Sequence, residues 1–250
     1  MDVKIDESWK RELQAEFDSE YFLALAEFVR GAYRSGVCYP PGAFIFEAFN
    51  RTPFDKVKAV VIGQDPYPIG LSGADADIDR AATDALMTRE AMYDTVPMWH
   101  VPQAFNWAWQ KGHKSEQPRY PTEEELVSMT WQPIAAGVNG LIYYAFHRIC
   151  MATEGAERDE YLRRAAAAAA EVKARMAIIL SEPGPKVESA PKGMVCRTWR
   201  TADGKVTLLA ANTTRRALVG TVAFAGGLAS QTVELSPLGH KFIEITSTKK

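Results

Sequence analysis

From residue 8 to residue 34, apolar side chains recur at three- and four-residue spacings: Trp9, Leu13, Phe17, Tyr21, Phe22, Leu25, Phe28 and Val29. That period belongs to amphipathic helix. Asp18 or Ser19 is placed to cap a second helix beginning near Tyr21 and Phe22. Tyr39-Pro40-Pro41-Gly42 ends the pattern, and an aromatic segment with Phe44, Ile45, Phe46 and Phe49 follows. Residues 57–62 are a compact apolar run with one lysine, as in a buried parallel strand, ended by Gly63 and two prolines. Residues 72–90 are acidic and alanine-rich, with helical character, and 98–104 read as a second strand. A polar stretch at 110–122 reads as a surface loop. Thr122, with Glu125 three residues on, forms a capping-box signature for a helix reaching about Ala136. Glu123, Glu124 and Glu125 then belong to a helix start rather than to a site. Residues 140–146 are the third strand candidate.

Residues 157–179 predict a long helix, in which 165–170 are six successive alanines. The stretch 181–193 is rich in Pro, Gly and Ser and reads as a linker. Beyond it the pattern alternates with period two: Val206, Leu208 and Ala210 share one face, and Asp203-Gly204 marks a hairpin turn. Residues 218–224, 233–235 and 241–245 continue it. The alternation of strand and helix before residue 180 predicts an α/β fold. A closed barrel takes eight strands, and too few are foreseen here. The expectation is an open α/β layer or incomplete TIM-barrel-like arrangement, followed by a small antiparallel β domain.

Composition narrows the function classes only a little. The chain has 250 residues, 47% of them hydrophobic, and a formal net charge of -2. It therefore has no overall attraction to nucleic acid, although a local basic patch is compatible with that balance. Cys38, Cys150 and Cys196 are too scattered for a disulfide framework. The polar N-terminus and the lack of a long apolar run read as a cytoplasmic chain without membrane contact. His100, His113, His147 and His240 show no close pair and no HExxH spacing, so no metal is expected. No Gly-rich phosphate loop is present, and no cofactor is expected.

An ordered series of motifs occupies the first quarter: Ser8-Trp9-Lys10, Glu16-Phe17, Tyr21-Phe22, Tyr39-Pro40-Pro41, Phe46-Glu47-Ala48-Phe49, Thr52-Pro53-Phe54 and Val57-Lys58. It ends in Val60-Val61-Ile62-Gly63-Gln64-Asp65-Pro66-Tyr67. Residues 1–67 thereby resemble the N-terminal part of bacterial uracil-DNA glycosylase. The resemblance implies that Asp65 positions or activates the attacking water. It implies that the Gln64 backbone helps hold uracil and that Tyr67 crowds the thymine methyl. A base flipped from its stack needs such a pocket and such a polar partner for water. The family's next segment is replaced here by Pro68-Ile69-Gly70-Leu71. Its uracil-stacking phenylalanine, its uracil-reading asparagine and its His-Pro-Ser-Pro loop have no counterpart.

From about Asp65 onward a second resemblance begins. It rests on Asp65-Pro66-Tyr67-Pro68-Ile69-Gly70, on residues 97–107 from Pro97-Met98-Trp99-His100 to Phe105-Asn106-Trp107, on Pro121-Thr122-Glu123-Glu124-Glu125, and on Gly140-Leu141-Ile142-Tyr143-Tyr144. This part is similar to the C-terminal half of glycoside-hydrolase-like (β/α) barrel proteins with a terminal β-sandwich. Trp99, Trp107, Tyr143 and Tyr144 supply aromatic faces near strand ends, and Gln103 and His147 are hydrogen-bonding candidates for sugar hydroxyls. Glycoside hydrolysis usually needs two flanking carboxylates, and residues 98–107 contain none.

The chain thus reads as a composite of 1–67, glycosylase-like, 68–180, a partial barrel, and 184–250, a β-sandwich-like domain. The leading functional expectation is a catalytically inactive, carbohydrate-enzyme-like fusion with weak carbohydrate binding. Uracil-DNA glycosylase activity or DNA binding is the alternative, and a chimera without joint function is the third reading. Surfaces from two families were never selected to interlock. Low stability, self-association or disorder in the first forty residues is therefore expected.

Overall fold

The computed structural model describes residues 2–38, 40–57, 62–70, 78–109 and 118–245. The chain divides into two compact units, Met1–Val60 and Val61–Lys250.

In the first unit, α1 (Glu7–Phe17) is capped by the Asp6 carboxylate, which accepts from Ser8 N at 3.0 Å. The chain reverses at Asp18, and the Ser19 hydroxyl caps α2 (Glu20–Ser35). The expected helix pair is therefore observed, with its break at the expected polar residues. A short helix, α3 (Glu47–Arg51), follows. Phe17 is buried at the centre of a small core with Val3 and Ile5, and Trp9, Leu13, Phe22, Phe46 and Phe49 pack around it. Trp9 meets Phe49 and Phe54 edge-on, and its Nε1 donates to Thr52 O at 2.7 Å. No residue of α2 is buried, however, and Phe28 is 74% exposed. Most of the aromatic stripe read from the sequence consequently faces outward on that helix.

The second unit opens with three short parallel strands: β1 (Ile62–Gln64), β2 (Met98–His100) and β3 (Gly140–Leu141), in the order β1-β2-β3. Most of the run foreseen as the first strand, 58–61, lies outside the described residues. The second and third strands are shorter than expected. Pro102, which has no N–H for a ladder, stands just beyond β2, and only an isolated bridge joins Gln103 to Tyr144. Helices α4 (Arg80–Ala91) and α5 (Glu123–Ala136) cover the layer. Ala81, Ala82 and Ala85 give α4 a thin buried face, which allows close approach. The capping box at Thr122 and Glu125 is formed. Next come α6 (Phe146–Ala152) and α7 (Gly155–Ala174), and Arg175 separates α7 from the one-turn α8 (Met176–Ile179).

The remaining strands are β4 (Glu182–Pro183), β5 (Val187–Ser189), β6 (Met194–Arg200), β7 (Val206–Asn212), β8 (Leu218–Phe224), β9 (Gln231–Leu235) and β10 (His240–Ile245). They form a four-stranded sheet, β10-β7-β6-β4, and a three-stranded sheet, β5-β8-β9. The expected linker at 181–193 therefore contains two edge strands: Glu182 and Pro183 pair with β6, and Val187 and Ser189 with β8. Proline is tolerated there because an edge strand need not donate on both sides.

The architecture is mixed α/β with open sheets, not a barrel. Every residue of β7 is buried. Val206, Leu208 and Ala210 face the inter-sheet core with Val222, Phe224 and Val233. Leu209 and Ala211, on the opposite face, join Trp131, Ile134 and Ala135 of α5. One core thus runs from the helices through the four-stranded sheet. This is why residues 61–250 form one compact unit rather than separating near residue 180.

Candidate ring-binding site at the strand ends

Three parallel strands end on the same edge, so the residues just after them converge. Asp65 and Tyr67 follow β1, Gln103 and Phe105 follow β2, and Tyr144 follows β3. Tyr67 lies in the middle of the rings. It meets Phe105 edge-on at 5.0 Å, stacks on Tyr144 at 5.7 Å and approaches Trp107 at 6.1 Å. Phe105 also contacts Trp107 at 5.0 Å and Tyr144 at 5.7 Å. His147, exposed on the first turn of α6, reaches the edge of the Tyr144 ring at 5.7 Å.

Asp65 is exposed and Tyr67 half-buried. Burial pushes the Tyr67 phenol well above its ordinary range, and the hydrogen-bonded Asp65 carboxylate pushes it further. Tyr67 is therefore a neutral donor to Asp65 at all physiological pH. The cluster offers flat apolar faces beside one carboxylate, and that arrangement suits a planar ring carrying polar edges.

The other sequence candidates have different surroundings. Gln103 is fully buried: its Oε1 accepts from Ile69 N at 2.8 Å, and its Nε2 donates to Ile69 O at 2.9 Å and Phe105 O at 3.0 Å. Those bonds leave it no role toward sugar hydroxyls; it holds the site's backbone from below. Gln64, at the end of β1, places its Oε1 3.2 Å from His100 Nδ1. His100 is fully buried, and desolvation lowers its pKa to about 3, so the ring is neutral. Trp99 lies across Gly140 on the neighbouring strand; a Cβ there would stand 2.7 Å from the indole. The Tyr143 hydroxyl is 2.9 Å from Thr130 Oγ1 on α5, and burial raises its pKa to about 12. Trp99 and Tyr143 are thus not among the ring contacts of Tyr67.

Phe105 and His100 were not singled out as site residues from the sequence. Phe105 had a signal, since it sits between Gln103 and Trp107 in a segment already marked as a strand end. His100 had one in the burial expected at the last position of a parallel strand. Among the described residues no three His, Cys, Asp or Glu side chains gather as a metal site, and no helix is long and apolar enough to cross a membrane.

No protein-family model matches the chain. Its N-terminal part is similar to a uracil-DNA glycosylase of Phocaeicola vulgatus, with 61% identity over 67 residues, or 27% of this chain and 30% of that protein. Uracil-DNA glycosylase 2 of Bacteroides fragilis is 58% identical over 67 residues, again 27% of this chain and 30% of that protein. A uracil-DNA glycosylase of Porphyromonas gingivalis is 54% identical over 66 residues, 26% of this chain and 30% of that protein. The chain therefore spans about 30% of the length of these curated relatives, and its similarity to uracil-DNA glycosylase rests on its N-terminal 27%.

Proposed function

We propose that the Asp65–Tyr67 site is a ring-recognition site of uracil-DNA-glycosylase type, whose ligand is uracil presented in single-stranded DNA. The observation that carries this reading is the ring cluster of Tyr67, Phe105 and Tyr144 at the ends of the parallel strands, with Asp65 two residues before Tyr67 on the same strand end. The sequence similarity reaches the same motif. In this reading Tyr144 supplies stacking surface, the fully buried Phe105 backs the Tyr67 ring, and Tyr67 leaves no room for a 5-methyl group. Asp65 orients water toward the glycosidic carbon. In the same reading His147, exposed beside the Tyr144 ring, donates to the departing base. A single carboxylate and one exposed imidazole provide little differential stabilisation of the transition state, so hydrolysis is slow relative to binding.

Fluorescence titration with single-stranded oligonucleotides tests the recognition step. Uracil should bind at least ten-fold more tightly than thymine at the same position, and Tyr67→Ala should abolish the preference. Equal affinity for the two would overturn the reading.

A second reading is weak carbohydrate binding without turnover. It is favoured by the ring platform of Tyr67, Trp107 and Tyr144 at the ends of parallel strands. Quenching of tryptophan fluorescence by oligosaccharides, lost in Trp107→Ala, would support it. A response to uracil-containing DNA alone would dismiss it.

A further inference from the structure

Away from the Asp65 cluster, a cavity of about 400 Å³ opens between α5, β3, α7, α8 and β6. Its wall is mostly apolar, with Ile134, Leu141, Val172, Ile179 and Trp199 prominent. Three polar side chains also line it: Asn139, Tyr143 and Arg197. Two of these are engaged. Asn139 Oδ1 accepts from Met98 N at 3.1 Å, and the Tyr143 hydroxyl pairs with Thr130 at 2.9 Å.

Arg197 is different. Among the described residues its guanidinium makes no hydrogen bond and no ion pair; its contact is with the Trp199 ring, 5.6 Å away. Burial lowers its pKa, neighbouring Arg89 lowers it further, and Asp94 offsets part of this. Asp94 is already held by Arg89 through two hydrogen bonds, and Arg89 also donates to Ala136 O. Both guanidiniums crowd Gly137, the left-handed C-cap of α5, where any side chain would collide with them. The negative end of α5 offsets part of this positive charge. It supplies no acceptor to Arg197. Two cations with one carboxylate between them, one cation lining an apolar cavity, make a site that favours an anion.

We propose that this cavity binds a small amphipathic carboxylate, with its apolar body against Ile134, Val172 and Ile179 and its carboxylate on Arg197. The volume lies in the usual range for small-molecule sites, roughly 300–1,000 Å³. The planar guanidinium matches a carboxylate in shape and charge. Charge is the selective element, because a neutral hydroxyl can accept only a single uncharged hydrogen bond from Arg197, whereas a carboxylate offers two charge-assisted ones.

Titration calorimetry on the full chain, with octanoate and 1-octanol as probes, tests this. Octanoate should bind at least ten-fold more tightly than 1-octanol. Arg197→Gln should erase that preference. Ala169→Phe, which narrows the cavity from an exposed position and leaves Arg197 in place, should weaken both probes. The comparison of probes on the unaltered chain does not depend on any variant folding. Equal affinity for the two probes, no octanoate binding, or unchanged octanoate affinity in Arg197→Gln would overturn the proposal.

Discussion

Gln103 holds Ile69 at both ends of one peptide residue: its amide oxygen accepts from Ile69 N at 2.8 Å and its amide nitrogen donates to Ile69 O at 2.9 Å. This clamp pins the chain just after the Asp65–Tyr67 motif to the segment carrying Phe105. Replacing it by leucine would keep the volume and leave three buried backbone groups without these partners. Each such group costs about 1–3 kcal/mol, so Gln103→Leu should destabilise the fold by roughly 3 kcal/mol or more. Urea unfolding checks this, and a loss below 1 kcal/mol would show that the clamp is dispensable.

Buried His100 makes stability depend on pH. Its folded pKa of about 3 lies below the ordinary histidine value near 6.5. Below pH 6.5 the unfolded chain gains a proton that the folded chain refuses, so stability falls as pH falls from about 6.5 toward 3. At pH 5 this loss should be about 2 kcal/mol. His100→Asn, which keeps a polar group facing Gln64, should flatten that slope. An unchanged slope would place the titration elsewhere.

Glu125 is the most heavily bonded carboxylate of the α5 N-terminus. Arg119 grips it at 2.7 and 2.6 Å, Arg215 reaches it at 2.7 Å, and Thr122 N donates to it at 2.9 Å. Burial pushes its carboxyl up, but these donors outweigh burial and hold it below the usual range. Its contribution is thus present above the ordinary carboxylate pKa and lost at more acid pH. Glu125→Leu should cost about 3 kcal/mol, because it removes a buried carboxylate that Arg119, Arg215 and the Thr122 amide all bond. Thermal unfolding at neutral pH measures this.

Self-association, if it occurs, is predicted to run through the outward face of α2, where Phe28 and Leu25 are 74% and 48% exposed. Phe28→Glu should shift the full chain toward monomer in sedimentation velocity. An unaltered distribution would exclude this face as the contact.

Local chemistry made much of the fold legible. The Ser19 cap, the Thr122–Glu125 box and the Asp203-Gly204 turn each involve residues within a few positions of one another. The open parallel layer also followed from strand and helix alternation. What escaped the sequence depends on distant partners. Glu182 and Val187 look like linker until β6 and β8 offer them edges. Gln103 looks like a sugar ligand until Ile69 takes its amide. Phe105 carries no mark as a site residue until Tyr67 and Tyr144 meet it. Polar residues marked as ligands from sequence are those for which tertiary burial most often decides otherwise.

Asp65, beside Tyr67, is proposed to serve a uracil-recognition site with slow hydrolysis. Release of free uracil from a single-stranded uracil-containing oligonucleotide tests it most directly. Slow release by the full chain is expected, at least a hundred-fold less in Asp65→Asn, with binding of the oligonucleotide retained. No release above buffer, or release that Asp65→Asn leaves unchanged, would contradict it.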